Sequence, residues 1–240
     1  MRNEKTKVPS SLAWPAYYNE QSKLANDLRL KSFFDAGVVD PRTPLSEVPF
    51  VALDFETTGL NPEENGIVSA GIVPFSLSRI RCKDANHFIV KPRQNLAAES
   101  VTIHGITHSD IQSAPDLDEV LHDFLPKLAK QVVVVHYRQI ERDFLNLALL
   151  ARIQESLFFP VVDTMMLEEK ILRKKRSLMA SLLGRQSNLS LRLPDIRERY
   201  GLPRYHLHHA MTDALATAEL LQAQVKHHLD DSTPISKIWC

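Results

Sequence analysis

Three places along this 240-residue chain gather side chains that can hold a cation or move a proton. The first is the string LDFETTGL, Leu53 to Leu60. Asp54 and Glu56 stand two residues apart on a short apolar strand, so both carboxylates project from the same face. Two acids side by side at the end of such a strand repel one another and are costly to desolvate unless a cation sits between them. Left without a cation, they are a solvated pair at a strand end. Thr57, Thr58 and Gly59 then turn the chain and expose backbone N–H groups beside the acids.

The last cluster is HLHHAMTDA, His206 to Ala214. Asp213 falls one turn into a helix, His208 precedes it by five residues, and His206 and His209 share the loop. A His-x-His-His string can ligate zinc, or it can fill a polar helix start. The hard carboxylate oxygens of the first cluster suit Mg²⁺ or Mn²⁺ better. Between these lies VVVVHYRQIERDFL, where a four-valine strand leads through His136 into a helix carrying Glu141 and Asp143. Both acids flank the apolar stripe of Ile140, Phe144 and Leu147. Helix geometry alone leaves the choice between them open.

The elements that must position these groups are legible in the surrounding pattern. The region from 47 to 230 reads as a layered α/β domain. PFVALDF, GIVSAGIVPF and HFIV are strand candidates, and VVVVH and FFPVVDT are short buried strands. After Pro115, Leu117, Val120, Leu121, Phe124, Leu125 and Leu128 recur at helical spacing on one face. QIERDFLNLALLA is a second helix, and the last long one begins near Ala210. Residues 1–46 form a helical N-terminal extension (NEQSKLANDLRLKSFF) closed by a Pro- and Gly-bearing loop. Its Trp14, Tyr17 and Tyr18 dock either on the main domain or on a partner. Residues 231–240 are a C-terminal tail.

Composition narrows the class further. With 44% hydrophobic and 24% charged residues, the chain is neither disordered nor collagen-like. Its two cysteines, Cys82 and Cys240, build no disulfide framework and no cysteine zinc site. No apolar run reaches the ~18 residues of a membrane helix, and MRNEKTKVPSS lacks the apolar core of a secretory signal. The expectation is a soluble, cytoplasmic protein with no membrane association. Its 29 basic and 29 acidic residues cancel, so any polyanion binding must be local. Ile171 to His206 carries nine Lys/Arg against two acids. Its RKKR run is either a phosphate-binding patch or a solvated helix end.

Taken in order, the strings DFETTGL, IHGIT, a strand ending in His before an acidic helix, and His208-His209-Ala210 to Asp213-Ala214 resemble one family. They are similar to the DnaQ-type 3′–5′ exonucleases of the DEDDh branch, which includes the DNA polymerase III epsilon proofreading subunit and RNase T. The resemblance runs from Phe50 to His228. It implies a ribonuclease-H-like fold with a mixed five-stranded sheet flanked by helices. It also implies release of nucleoside 5′-monophosphates from nucleic-acid 3′ ends with two divalent ions, Mg²⁺ or Mn²⁺.

Carried over residue by residue, Asp54, Glu56, Glu141 and Asp213 would be metal ligands and His208 the general base. Thr58, Gly59, Leu60, His104 and Ile106 would line the cleft for the terminal nucleotide. The tyrosine branch of the family places its base four residues before the last aspartate, which here is His209. The five-residue offset of the histidine branch lands on His208. Asp163 matches a common family feature and is read as structural.

One departure concerns the third motif. The family has His-Asn-x-x-Phe-Asp, and this chain has His136-Tyr137-Arg138-Gln139-Ile140-Glu141. Either Glu141 replaces the aspartate, the helix shifts to present Asp143, or the site is impaired. Single-stranded DNA is the expected substrate and RNA the alternative; a nucleic-acid-binding adaptor on the same fold is a second class. QSNLSL, from Gln186, resembles a sliding-clamp peptide or faces the core.

Overall fold

The structure, a computed structural model, describes residues 8–93, 106–179, 189–206 and 208–240. His104 and the start of QSNLSL lie outside these residues.

The sheet is organised on one antiparallel pair. Strand β1 (Phe50–Thr57) runs against β2 (Ile67–Ser76), and beyond β1 follow β5 (Val132–Val135) and β6 (Val161–Asp163), both parallel to it. Every residue of β5 and β6 is buried, as expected of parallel strands covered on both faces. The outer edge of β2 is used twice. Phe75 and Ser76 pair with β3 (Arg79–Ile80), and Ser69 to Ile72 pair with β4 (Asn86–Ile89). The sheet therefore has six strands, in the order β3-β2-β1-β5-β6 with β4 also on β2, where five were expected. The 10-residue β2 is long enough that one partner, broken by a 3₁₀ turn at Cys82–Asp84, covers its edge in two pieces.

Eight helices surround the sheet among the described residues: α1 (Trp14–Leu24), α2 (Leu28–Asp35), α3 (His108–Gln112), α4 (Leu117–Leu128), α5 (Gln139–Ile153), α6 (Thr164–Met179), α7 (Leu193–Arg199) and α8 (Ala210–His228). Strand alternation assigns the faces. Phe55 points to the side where its ring stacks on Phe124 of α4, with centroids 6.2 Å apart. Asp54 and Glu56 point to the other side, which α8 crosses. No described helix is long and apolar enough to span a membrane.

The N-terminal helical stretch is broken in two. The Asp27 side chain accepts the N–H groups of Arg29 and Leu30 and so starts a fresh helix. Glu155, just beyond α5, accepts the N–H groups of Asn26 and Asp27. Trp14, Tyr18, Phe33 and Phe34 are buried in the same hydrophobic core as the sheet. The tail joins it too: Cys240 exchanges backbone hydrogen bonds with Val161 of β6, and the Trp239 indole N–H donates to the Ser11 carbonyl at 2.9 Å. Buried Arg142 of α5 ties the three parts together. It lies 5.8 Å from the Trp14 ring centroid and donates to the carbonyls of Phe159 and Cys240.

Candidate active site

The site forms where the row of sheet residues containing Asp54 meets the first turn of α8. Asp54 pairs with Gly71 on β2, and Gly71 has no side chain to hold the helix away. A Cβ there would come within 2.2 Å of the Ala210 backbone, so the helix backbone rests directly on the strand. That contact brings Asp213, one turn into α8, down to the β1 acids. Carboxylate oxygens of Asp54, Glu56 and Asp213 all lie within 4.8 Å of one another. Motif reading passed over Gly71. A lone glycine inside a strand was the available signal, because it marks a close backbone approach.

The fourth acid comes from the other side of β1. Glu141, in the first turn of α5, is 2% exposed. Its charge is felt at Asp54. Asp143, two residues on, is exposed, in a surface cavity with Arg138, Arg142 and Phe158. The structure thus gathers Asp54, Glu56 and Asp213, with Glu141 buried on the other side of β1 and Asp143 exposed.

Burial of like charges shapes the electrostatics. Burial, then repulsion from Glu141, Asp213 and Glu56, holds the Asp54 carboxyl well above the usual carboxylate range. Burial beside Asp213 pushes Glu56 up to about 7. Burial also raises Glu141 and Asp213, and in Asp213 the backbone N–H groups of His208 and His209 oppose the rise. Glu141 Oε2 and Asp213 Oδ1 are buried without a hydrogen-bond partner. Three converging carboxylates, one of them with an unfilled oxygen, are a donor set for hard divalent cations, and these residues fit such ions.

His208 stands at the rim, exposed, in the loop before α8. Its φ of +69° is left-handed, a conformation that costs a non-glycine residue free energy. The hydrogen bond from its N–H to Asp213 Oδ2, at 2.8 Å, holds it there. Tyr137 shows the same device with φ +78°, its N–H donating to Asp163 Oδ1 at 3.2 Å. Buried Asp163 also accepts the N–H groups of Arg138, Met165 and Met166, so it fastens the starts of α5 and α6. His136 bridges the Thr164 hydroxyl and the Leu191 carbonyl, a joint between elements.

The turn after β1 is rigid. Thr58 is buried, accepts the Gly66 N–H and donates to Asn65 Oδ1. Gly59 leaves room only for the Asn65 side chain, which a Cβ would meet at 2.6 Å. Leu60 projects from this turn and is 83% exposed. Ile106 is buried in a small cluster with Val68 and Ile111, beneath the surface rather than on it.

The sequence profile of the exonuclease family (RNase_T) matches residues 51–221. The chain belongs to the exonuclease family. It is an exonuclease. DNA polymerase III subunit epsilon of Treponema pallidum is 28% identical over 181 residues, 75% of this chain and 78% of its own length. The PolC-type DNA polymerase III of Thermotoga petrophila is 30% identical over 171 residues, which cover 71% of this chain and 11% of the polymerase. This chain therefore corresponds to about a tenth of that protein. Among solved structures, the nuclease domain of 3′hExo, a DEDDh family member bound to rAMP, matches with a TM-score of 0.61 at 17% identity, covering 75% of this chain and 92% of that one. Cell-death related nuclease 4 gives a TM-score of 0.59 at 24% identity over 75% of this chain and 64% of its own.

The acid cluster makes stability depend on pH and on ions. These carboxyls have folded pKa values above their unfolded ones, so the stability they contribute at low pH is lost as pH rises through the folded values. For Glu56 that window runs from about 4.5 to about 7. Chelated protein is expected to melt at a lower temperature at pH 8 than at pH 5.5, with Glu56→Gln flattening the slope. Mg²⁺ or Mn²⁺ should raise the melting temperature more at pH 8 than at pH 5.5. Melting curves indifferent to both ions at pH 8 would show that the carboxylates hold no cation.

Proposed function

We propose that this exonuclease domain removes nucleoside 5′-monophosphates from 3′ ends of single-stranded DNA in the cytoplasm, using two divalent ions and a histidine base. The observation that carries this reading is the cluster of the Asp54, Glu56 and Asp213 carboxylates, with an exposed histidine tied to Asp213. Asp54, Glu56 and Asp213 would hold one ion, with Asp54 shared and Glu141 serving the second. Ions bound there supply the positive charge that a neutral chain lacks and stabilise charge on the attacking and leaving oxygens.

The chain's own residues supply the remaining steps. An imidazole nitrogen of His208 takes a proton from water as the water oxygen attacks the terminal phosphorus. The bond to the 3′ oxygen of the preceding nucleotide breaks, and that oxygen leaves with the shortened strand. Histidine is the side chain most often used for such a transfer. Asp213 orients His208 through the backbone N–H. The backbone at Thr58 and Gly59 would meet the 3′ end, and exposed Leu60 offers an apolar surface for the terminal base. His104 is proposed for the same cleft, with buried Ile106 supporting it from beneath.

The defining experiment is product analysis on matched single-stranded DNA, duplex DNA and RNA carrying a 5′ label, with Mg²⁺ or Mn²⁺ and with EDTA. Mononucleotides should appear from the 3′ end of single-stranded DNA and vanish on chelation. Internal cuts, or cleavage surviving complete chelation, would contradict the mechanism, and faster trimming of RNA would reassign the substrate.

The base is tested by ranking two neighbours. His208→Ala should lower turnover by ~10²–10⁴-fold with little change in substrate binding, and His209→Ala by no more than about 10-fold. The reverse order would move the base to His209.

The fourth ligand is tested by a second pair. Glu141→Gln preserves shape and removes charge, so it should abolish most activity, while Asp143→Asn leaves it nearly intact. The longer glutamate side chain loosens the second ion's site, and Mn²⁺ should then support a higher rate than Mg²⁺. Loss of activity in Asp143→Asn alone would overturn the assignment of Glu141.

A further inference from the structure

The row that carries Asp54 continues one strand further. Gly71 pairs with Asp54 on one side and with His87 of β4 on the other. Residues directly opposite on neighbouring strands share a face, so Asp54, Gly71 and His87 form one line under the start of α8. Ala210 rests on Gly71, and Asp213 reaches Asp54. At the third position, the rings of His87 and His209 lie against each other, with centroids 4.7 Å apart and planes tilted by 36°.

His209 is the N-cap of α8, yet its side chain makes no capping hydrogen bond. Most N-cap side chains turn back to the helix N–H groups; this one turns to the sheet. Its exposed neighbour His208 lies in left-handed backbone and outside any helix. The His209 ring on His87 is a contact between this loop and the sheet. The imidazole of His87 is half-buried with Nε2 unpaired, so its contribution here is the flat face of the ring rather than a hydrogen bond.

We propose that His87 is a positioning residue, whose ring seats His209 on the sheet and thereby aims His208 at the carboxylate cluster. This rests on the reading of His208 as base. A small displacement of a base is costly, because misplacement by about 1 Å can lower turnover ~10²-fold.

The test uses the full chain with His87→Ala, His87→Phe, His209→Ala and the double substitution His87→Ala with His209→Ala. Turnover and KM are measured on a labelled oligonucleotide at saturating Mn²⁺. Amide hydrogen exchange at His208 and His209 is followed by NMR in chelated protein. His87→Ala should lower kcat about 10-fold with KM within about twofold, and His87→Phe, which keeps a flat ring, should restore most of it. The double variant should be no slower than His209→Ala alone, because coupled residues are not additive. Exchange at the two amides should quicken in His87→Ala and stay slow in His87→Phe. Full additivity, a rise in KM at constant kcat, or a Phe variant as impaired as the Ala one would overturn the proposal. If His87→Ala does not fold, His87→Leu replaces it in the same cycle. A wild-type chain that releases no nucleotide would sink the reading of His208, while the exchange data still decide the role of His87.

Discussion

Carboxylates brought together at β1, with a further buried acid on α5, repel each other, and the rest of this structure is arranged around that repulsion. Each acid is buried or nearly so, each is driven toward its protonated form, and two of them keep an oxygen with no protein donor. A fold selected for stability alone would separate such groups or pair them with cationic side chains. Here the nearby arginines are engaged elsewhere. Arg138 serves Asp163 and Arg142 serves backbone carbonyls. The cluster therefore stays short of positive charge, the condition in which divalent ions and a phosphate ester can be bound together.

Holding the acids in that state requires rigid supports on both faces of β1. On one face the absence of a side chain at Gly71 lets the α8 backbone settle on the sheet and carries Asp213 with it. On the other, α5 packs its buried Glu141, Phe144 and Leu145 inward. The N-terminal helices and the tail reinforce α5 from behind, through Arg142, Trp14 and the backbone pairing of Cys240 with Val161. The left-handed residues Tyr137 and His208 belong to the same scheme. Each is held by an N–H bond to a carboxylate, of Asp163 and Asp213 respectively. Strain of this kind persists where surrounding contacts over-determine the backbone.

The basic surplus between Ile171 and His206 looks different once folded. Arg173 meets Glu169, Arg197 meets Glu219, Arg199 meets Glu168, and Arg204 meets Glu198. Three of those acids lie outside the counted segment, so a linear tally overstates the free charge. Four of the nine basic residues are thus tied to acids of α6, α7 and α8.

Local sequence determined what depends on periodicity. Alternation along β1 places Asp54 and Glu56 on one face, helical spacing sets the buried side of α4, and the order of strings identifies the family. All of these follow from geometry that repeats within a few residues. Contacts between segments far apart in the chain were decided by tertiary structure. The second pairing on the edge of β2 depends on how far that strand outruns its neighbours. The close approach at Gly71 involves residues some 140 positions apart by number, and the meeting of His87 with His209 likewise spans the domain. The burial of Glu141 and the exposure of Asp143 are the clearest case. Two residues on a helix differ by about 200° around its axis, and both acids border the apolar stripe. Which one is buried is set by the rotation at which α5 packs on β1, a quantity no stretch of local sequence contains.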